Sequence, residues 1–546
     1  MDNQILLNFI KRESKDESYK TILAMTAISG LGNAALLAVI NYSTSKIVEH
    51  SYNVKLILVF TIVFLIYVIT KSRAQKLTAV FAETVVFNVR ERIVKYMINT
   101  ELQEFEELGR AEIYTRLTKD TNEISGSASL IANGVQAAIL VFFAIIYLGF
   151  INLTALIITV IMLAIAISNY FVSSNRIQGE ISEATALETV YFEKLDEVTG
   201  GFKEIKLHQE KKKNLFDGRL QSVSQELKDK KIVTSAKLSF YFVFAQAFFY
   251  ALLGTMVFIV PVIDGHVLKD LAKITPTILF IIIPLGEAVG TFDIVNRATV
   301  AVFNLNQIEE RLKENAFGSA ENKEVNGIFE GFETIRLNHL RFGYYDSQGK
   351  EQFGIGPINL EIKKGSTIFI VGGNGSGKST LVRLMTGLYQ PDQGDIYVDE
   401  RKVYEDNIQE YRELFGVIFA DFFLFSELYG VKDVNEKSVL QLLKQMQLSE
   451  KTGYKNGSFT QLNLSTGQRK RLAMIAAVLE NKSVLVFDEW AADQDPEFRK
   501  YFYNELLGEF KAQGKTVIAI THDDQYFDRA DMIYKMEYGQ FNEFTV

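Results

Sequence analysis

Apolar residues dominate the first three hundred positions of this 546-residue chain, and they fall in long unbroken runs. A helix needs roughly 20 apolar residues to cross the hydrocarbon core of a bilayer. Residues 21 to 45 carry no charge, and 56 to 70 form a shorter run flanked by lysines that can snorkel to the interface. Residues 124 to 175 are also uncharged and long enough for two crossings, with small polar residues near 149 to 152 marking the turn between them. A fifth run covers 238 to 263, and a sixth starts at 274 and continues past Glu287 to about 302. The pattern predicts six spanning helices, an even number that returns the chain to its starting side.

Past about residue 305 the pattern changes. Residues 306–330 are charged and read as a linker between a membrane domain, 1–305, and a second domain, 331–546. In the second domain short apolar runs at 368–371, 484–487 and 517–520 alternate with helical segments, which predicts a largely parallel sheet covered by helices. The expected architecture is an α-helical membrane domain of six transmembrane helices fused to an α/β domain.

Lysine and arginine placement orients the spans. The N-terminal tail (Lys11, Arg12, Lys15, Lys20) and the long connections after spans two and four are basic, whereas the connections near 46–55, 150–153 and 264–273 hold at most two lysines each. That bias puts the N-terminus, both long connections and the second domain in the cytoplasm. A secretory signal over residues 11 to 45 is disfavoured, because the apolar run exceeds an h-region. Each long connection reads as helix broken by glycine, at Gly109 and at Gly200-Gly201. Such breaks seat a short docking element or simply kink a long helix. Glu287 and Asp293 are costly in lipid and should face a water-filled cavity or a partner; Arg297, one turn beyond Asp293, is the nearest candidate.

Composition adds exclusions. A formal charge of -8 gives no sign of a nucleic-acid surface, and the absence of cysteine excludes disulfides and thiolate metal sites.

The chemistry is concentrated in three stretches. The apolar run Thr367 to Val371 leads into Gly372-Gly373-Asn374-Gly375-Ser376-Gly377-Lys378-Ser379-Thr380 and then into a helical segment. Glycines let consecutive amides turn onto phosphate oxygens while a helix N-terminus adds positive partial charge. The match to G-x-x-x-x-G-K-[ST] makes Gly372, Asn374, Gly375, Gly377, Lys378, Ser379 and Thr380 candidate nucleotide-binding residues. Lys378 is expected to reach the β and γ phosphates, and the Ser379 hydroxyl a Mg2+ ion. Val484 to Phe487 is a buried strand pattern ending in Asp488 and Glu489, which places Asp488 near the Mg2+ and Glu489 where it can orient or deprotonate a water.

The third stretch, Leu464-Ser465-Thr466-Gly467-Gln468, resembles the L-S-x-G-Q signature of ATP-binding cassette proteins. The resemblance implies that Ser465, Gly467 and Gln468 act on ATP held by the opposite subunit. With one cassette per chain, it also implies a homodimer with two ATP sites at a two-fold interface. By the same resemblance His522 is the switch histidine and a candidate catalytic residue with Glu489. Tyr344 is the aromatic that stacks on adenine, with Tyr345 a substitute, and Asp495 is the D-loop aspartate. Where most cassettes carry a glutamine, this chain has Ala420, and Asp421 is the residue that could take over part of its role.

The stretches Phe419 to Phe425, Gly201 to Leu207 and Asp488 to Pro496 are similar to the bacterial cyclic-peptide exporters, a group that includes microcin and peptide-siderophore exporters. What this implies is ATP- and Mg2+-dependent export of a cyclic or modified peptide across the inner, cytoplasmic membrane, with the lipid bilayer and a second copy as partners and no nucleic acid. A lipid flippase of the same architecture and a membrane-bound ATP-dependent sensor are the competing readings.

Overall fold

A computed structural model describes residues 4–14, 18–48, 54–263, 267–314, 326–346, 348–431 and 434–544. The tips of the connections near 46–55 and 264–273 and the middle of the linker, 315–325, lie outside the described residues. The chain forms two compact units, one made of residues 1–93 and 111–309, the other of 94–110 and 310–546.

The first unit is helical. Among the described residues four helices are long and apolar enough to cross a membrane, Tyr19–Thr44, Val54–Asn99, Arg110–Ile151 and Asp270–Glu314, and two shorter apolar stretches are Leu153–Asn169 and Ala247–Ile263. These six segments match the six runs in the sequence. The hairpin forms at Asn152, whose extended backbone ends one helix and whose side chain caps the next, accepting from Ala155 N at 3.0 Å.

Several helices extend far beyond a bilayer. Leu153–Gly200 has 48 residues, about 70 Å at 1.5 Å per residue, more than twice the hydrocarbon thickness. Exposed Ile57, Leu58, Phe60, Phe64 and Leu65 on Val54–Asn99 form the kind of apolar surface that lipid covers.

Several polar groups inside this unit are paired. Buried Asn41 donates to Thr277 Oγ1 at 2.8 Å, joining two helices. Arg92 reaches Glu13 at 2.8 Å and Glu309 at 2.7 Å, tying the short helix Gln4–Glu13 to two long ones. Glu13 and Glu309 are buried, and their charges are tolerable there because the guanidinium meets both. Arg297 pairs with Glu123 at 3.2 Å, and Glu287 is exposed.

The second unit contains a six-stranded sheet in the order Gln540–Glu543, Met532–Glu537, Thr367–Val371, Thr516–Ile520, Val484–Asp488, Phe415–Ile418. All neighbours pair in parallel except the first hairpin. The three inner strands, Thr367–Val371, Thr516–Ile520 and Val484–Asp488, are buried along their whole length, as continuous apolar runs covered on both faces require. A smaller antiparallel sheet, Glu351–Lys363, Thr334–Tyr345, Gln393–Val398 and Arg401–Lys402, shares one core with it.

This unit also includes residues 94–110, from the first long connection. The seven-residue helix Leu102–Leu108 ends at Gly109, whose φ of 76° is a left-handed conformation natural to glycine. Leu102 packs against the sheet core, and Arg412 holds the Glu101 carboxylate at 2.6 and 2.8 Å while also donating to Gly387 O. Glu106 accepts from Tyr389 and lies 3.4 Å from Arg383. The first glycine break therefore ends a docked element. The second, at Gly200-Gly201, separates Leu153–Gly200 from the helix Phe202–Leu207, which has no buried residue.

Glu101→Ala removes both carboxylate oxygens from Arg412 and leaves it Gly387 O alone among the described residues. Amide exchange across residues 102–108 is expected to rise about tenfold, the loss of one charge-assisted pair, while Thr367–Val371 stays protected. Hydrogen-exchange mass spectrometry reads both segments in one experiment.

Candidate active site

The sheet order puts the carboxyl ends of three adjacent parallel strands together, and the candidate residues follow from those ends. Val371 leads into the glycine loop, Asp488 closes its own strand, and the strand between them, Thr516–Ile520, leads to His522.

The loop turns into the helix Lys378–Met385 through Gly377, which has φ 106° and where a Cβ would stand 2.5 Å from Ile355 Cγ2. Both the backbone angle and the space demand glycine. Lys378 is buried, and its ammonium donates to Gly372 O at 2.9 Å and Gly373 O at 3.0 Å and lies 3.7 Å from Glu489 Oε1. Asn374, Gly375 and Ser379 are exposed at the loop surface. Thr380 is buried, and its hydroxyl meets the Tyr344 hydroxyl at 3.2 Å. Tyr344 sits among Phe342, Phe353 and Tyr389, whereas Tyr345 turns to Asp392 at 3.1 Å.

Ser379 Oγ donates to Asp488 Oδ2 at 3.2 Å, while among the described residues Asp488 Oδ1 is buried with no hydrogen-bond partner, as is Ser376 Oγ. Burial pushes the Asp488 carboxyl above its usual range; the Ser379 bond opposes this and the neighbouring Glu489 charge adds to it. A hydroxyl and a carboxylate with a buried unpaired oxygen make a hard-oxygen donor set that fits Mg2+. Where the usual glutamine is missing, the backbone N–H of Ala420 also opposes the rise in the Asp488 pKa, and Asp421 is exposed.

Glu489 has φ 50°, and its Oε1 lies 3.4 Å from His522 Nε2. The turn that carries His522 is braced by Asp523, which accepts from Tyr503 at 3.0 Å and pairs with Arg499 at 3.2 Å.

Ser465 caps the helix Thr466–Glu480 in a capping box, accepting from Gln468 N at 3.4 Å while the Gln468 side chain accepts from Ser465 N at 3.2 Å. Gly467 lies against the turn after Glu489: a Cβ would stand 2.5 Å from Asp493 O. Among the described residues no hydrogen bond joins Ser465, Gly467 or Gln468 to the glycine loop of the same chain. Asp495 caps the helix Pro496–Tyr501 and pairs with Arg471.

Residues 355–492 match the ABC transporter family model, and residues 20–269 match that of the ABC transporter transmembrane region. The energy-coupling factor transporter ATP-binding protein of Mycoplasmoides gallisepticum is 32% identical over 216 residues, 38% of this chain and 75% of that protein. This chain belongs to the ABC transporter family. The ATP-binding protein SyrD of Pseudomonas syringae pv. syringae is 28% identical over 534 residues, 96% of this chain and 94% of that one. The fold matches that of a bacterial Atm1-family ABC exporter with ATP bound, with a TM-score of 0.74 at 16% identity over 96% of this chain and 94% of the other. This ABC transporter is a multi-pass membrane protein whose cassette binds and hydrolyses ATP and couples that reaction to transport.

Sequence reasoning passed over Ser376, Lys470, Arg471, Tyr389 and Asp493. Lys470 and Arg471 follow the signature closely, and a basic run at 469–471 leading into an apolar helix was the signal available.

Gly467→Ala forces one of two backbones to move. It is expected to cost about 2 kcal/mol, read as a lower melting temperature of the cassette, together with slower ATP turnover.

Proposed function

We propose that the protein is a homodimeric exporter of a cyclic or modified peptide in the inner, cytoplasmic membrane, with its N-terminus and cassette in the cytoplasm. Its membrane domain is residues 1–305, its linker 306–330 and its cassette 331–546. The observation that carries the ATPase part is the convergence of Ser379, Asp488, Glu489 and His522 at adjacent strand ends. The stretches at Phe419 to Phe425 and Gly201 to Leu207, similar to those of cyclic-peptide exporters, support the peptide reading.

In this reading Tyr344 stacks on adenine. Gly372, Asn374, Gly375, Gly377 and Thr380 surround the phosphates, and Lys378 exchanges its carbonyl partners for phosphate oxygens. Ser379 and Asp488 would hold Mg2+, which would supply positive charge opposite the phosphates when bound. Glu489 takes a proton from water as the water oxygen bonds to the γ-phosphorus and the bond to the bridging oxygen of ADP breaks. His522, within reach of Glu489, steadies the γ-phosphate. Ser465, Gly467 and Gln468, already ordered by their capping box, present a helix N-terminus to ATP on the second copy. Closing and reopening of the paired cassettes is passed to the spans through the cytoplasmic helices.

The test is ATPase activity in lipid nanodiscs across cyclic peptides, siderophores and lipids, with 5 mM-scale Mg2+ present or chelated. Glu489→Gln is expected to lower turnover by about a hundredfold or more while ATP affinity is kept. One peptide class should stimulate the wild type, and chelation should stop it. Stimulation by lipid headgroups alone identifies a flippase. Indifference to every ligand, with no ATP-coupled flux in sealed vesicles, identifies a sensor.

A further inference from the structure

Lys470 lies on the helix Thr466–Glu480, only 2% exposed, and mutual contacts link it to the segment after Glu489. Its ammonium donates to Glu489 O at 2.7 Å and stands 2.7 Å from Asp493 Oδ2. Trp490 Nε1 donates back to Lys470 O at 2.9 Å. Glu489 itself is left-handed at φ 50°, a conformation that a side-chain-bearing residue keeps only where its surroundings over-determine it. Its N–H donates to Ile520 O at 3.2 Å and its carbonyl is taken by Lys470, so both flanking peptide groups are held. Rotating either would swing the carboxylate away from His522 and Lys378.

We infer that Lys470 is a positioning residue for the ATPase reaction: its ammonium locks the main chain of Glu489 so that the carboxylate is aimed at the glycine loop. The side chain suits the task. A long apolar stem crosses the buried layer, a donor at its end reaches the carbonyl, and the partly exposed Asp493 balances the charge. The helix whose first turn carries Ser465 and Gly467 also carries the residue that holds Glu489.

The inference rests on Glu489 as the base, and the experiment separates the two. Wild type, Lys470→Met, Lys470→Arg and Glu489→Gln are compared in nanodiscs for kcat, KM, binding of a fluorescent ATP analogue, and amide exchange over residues 484–495. Lys470→Met keeps the stem without the donor. It is expected to lower kcat by about tenfold or more, as misplacing a reacting group does, with KM and ATP affinity within about twofold. Exchange over 489–493 should rise while the glycine loop stays protected. Lys470→Arg, which retains donor and charge, should recover kcat to within about threefold of wild type. The inference is overturned by a wild-type kcat in Lys470→Met, by a parallel loss of ATP affinity, or by Lys470→Arg faring no better than Lys470→Met. Full hydrolysis by Glu489→Gln overturns the reading of the base itself, and the inference with it. Should Lys470→Met not fold, Asp493→Asn withdraws the counter-charge without changing shape. Raised exchange at 489–493 with a reduced kcat is then expected, and unchanged exchange overturns the inference.

Discussion

Asp488 is a carboxylate at the end of a strand otherwise built of valine, leucine and phenylalanine, and it is nearly sealed from water. Burying such a group is costly unless donors or cations meet it. The fold meets part of that cost with the Ser379 hydroxyl and, among the described residues, leaves one oxygen unpaired. That contact needs the helix after the glycine loop and the strand end to arrive together. The strand order supplies this by inserting Thr516–Ile520 between the loop strand and the aspartate strand. The unpaired oxygen is a hard donor of the kind a divalent cation takes.

What was legible in the sequence was local. The glycine loop, the strand ending in two acids and the signature each occupy fewer than about a dozen consecutive residues, and backbone geometry over such a span follows from composition. The apolar runs were legible for the same reason, since a bilayer imposes a length. Pairings across long separations were not. Lys470 with Asp493, Tyr389 with Glu106 and Arg412 with Glu101 join residues on different elements, and isolated charges look alike whether they face solvent or each other. Gln468 was read as a nucleotide ligand from the resemblance. Its capping bond to Ser465 was visible in the spacing of serine and glutamine, three residues apart, and gives the side chain a local structural task beside the proposed one.

The helix Leu102–Leu108 shows why a glycine break alone could not decide between a kink and a docking element. Seven residues are too few for a stable helix in water. Its order is borrowed from the cassette through Leu102 in the core, Glu101 on Arg412 and Glu106 on Tyr389 and Arg383. Burial and the Glu106 bond hold the Tyr389 hydroxyl well above its ordinary pKa, so it stays a donor across physiological pH. The docking information therefore resides in the cassette and not in the segment that docks.

Gly467 and Asp493 meet through main-chain atoms, with no side chain between them. A side-chain contact that is damaged by substitution can be repaired by a complementary change on the other partner. A contact between a hydrogen in place of a Cβ and a carbonyl oxygen offers no such second site, because no choice of residue at 493 removes its carbonyl. The signature helix is thus held by a joint that cannot drift by compensated pairs. Any lineage that loses the glycine must rebuild the turn that follows the strand Val484–Asp488.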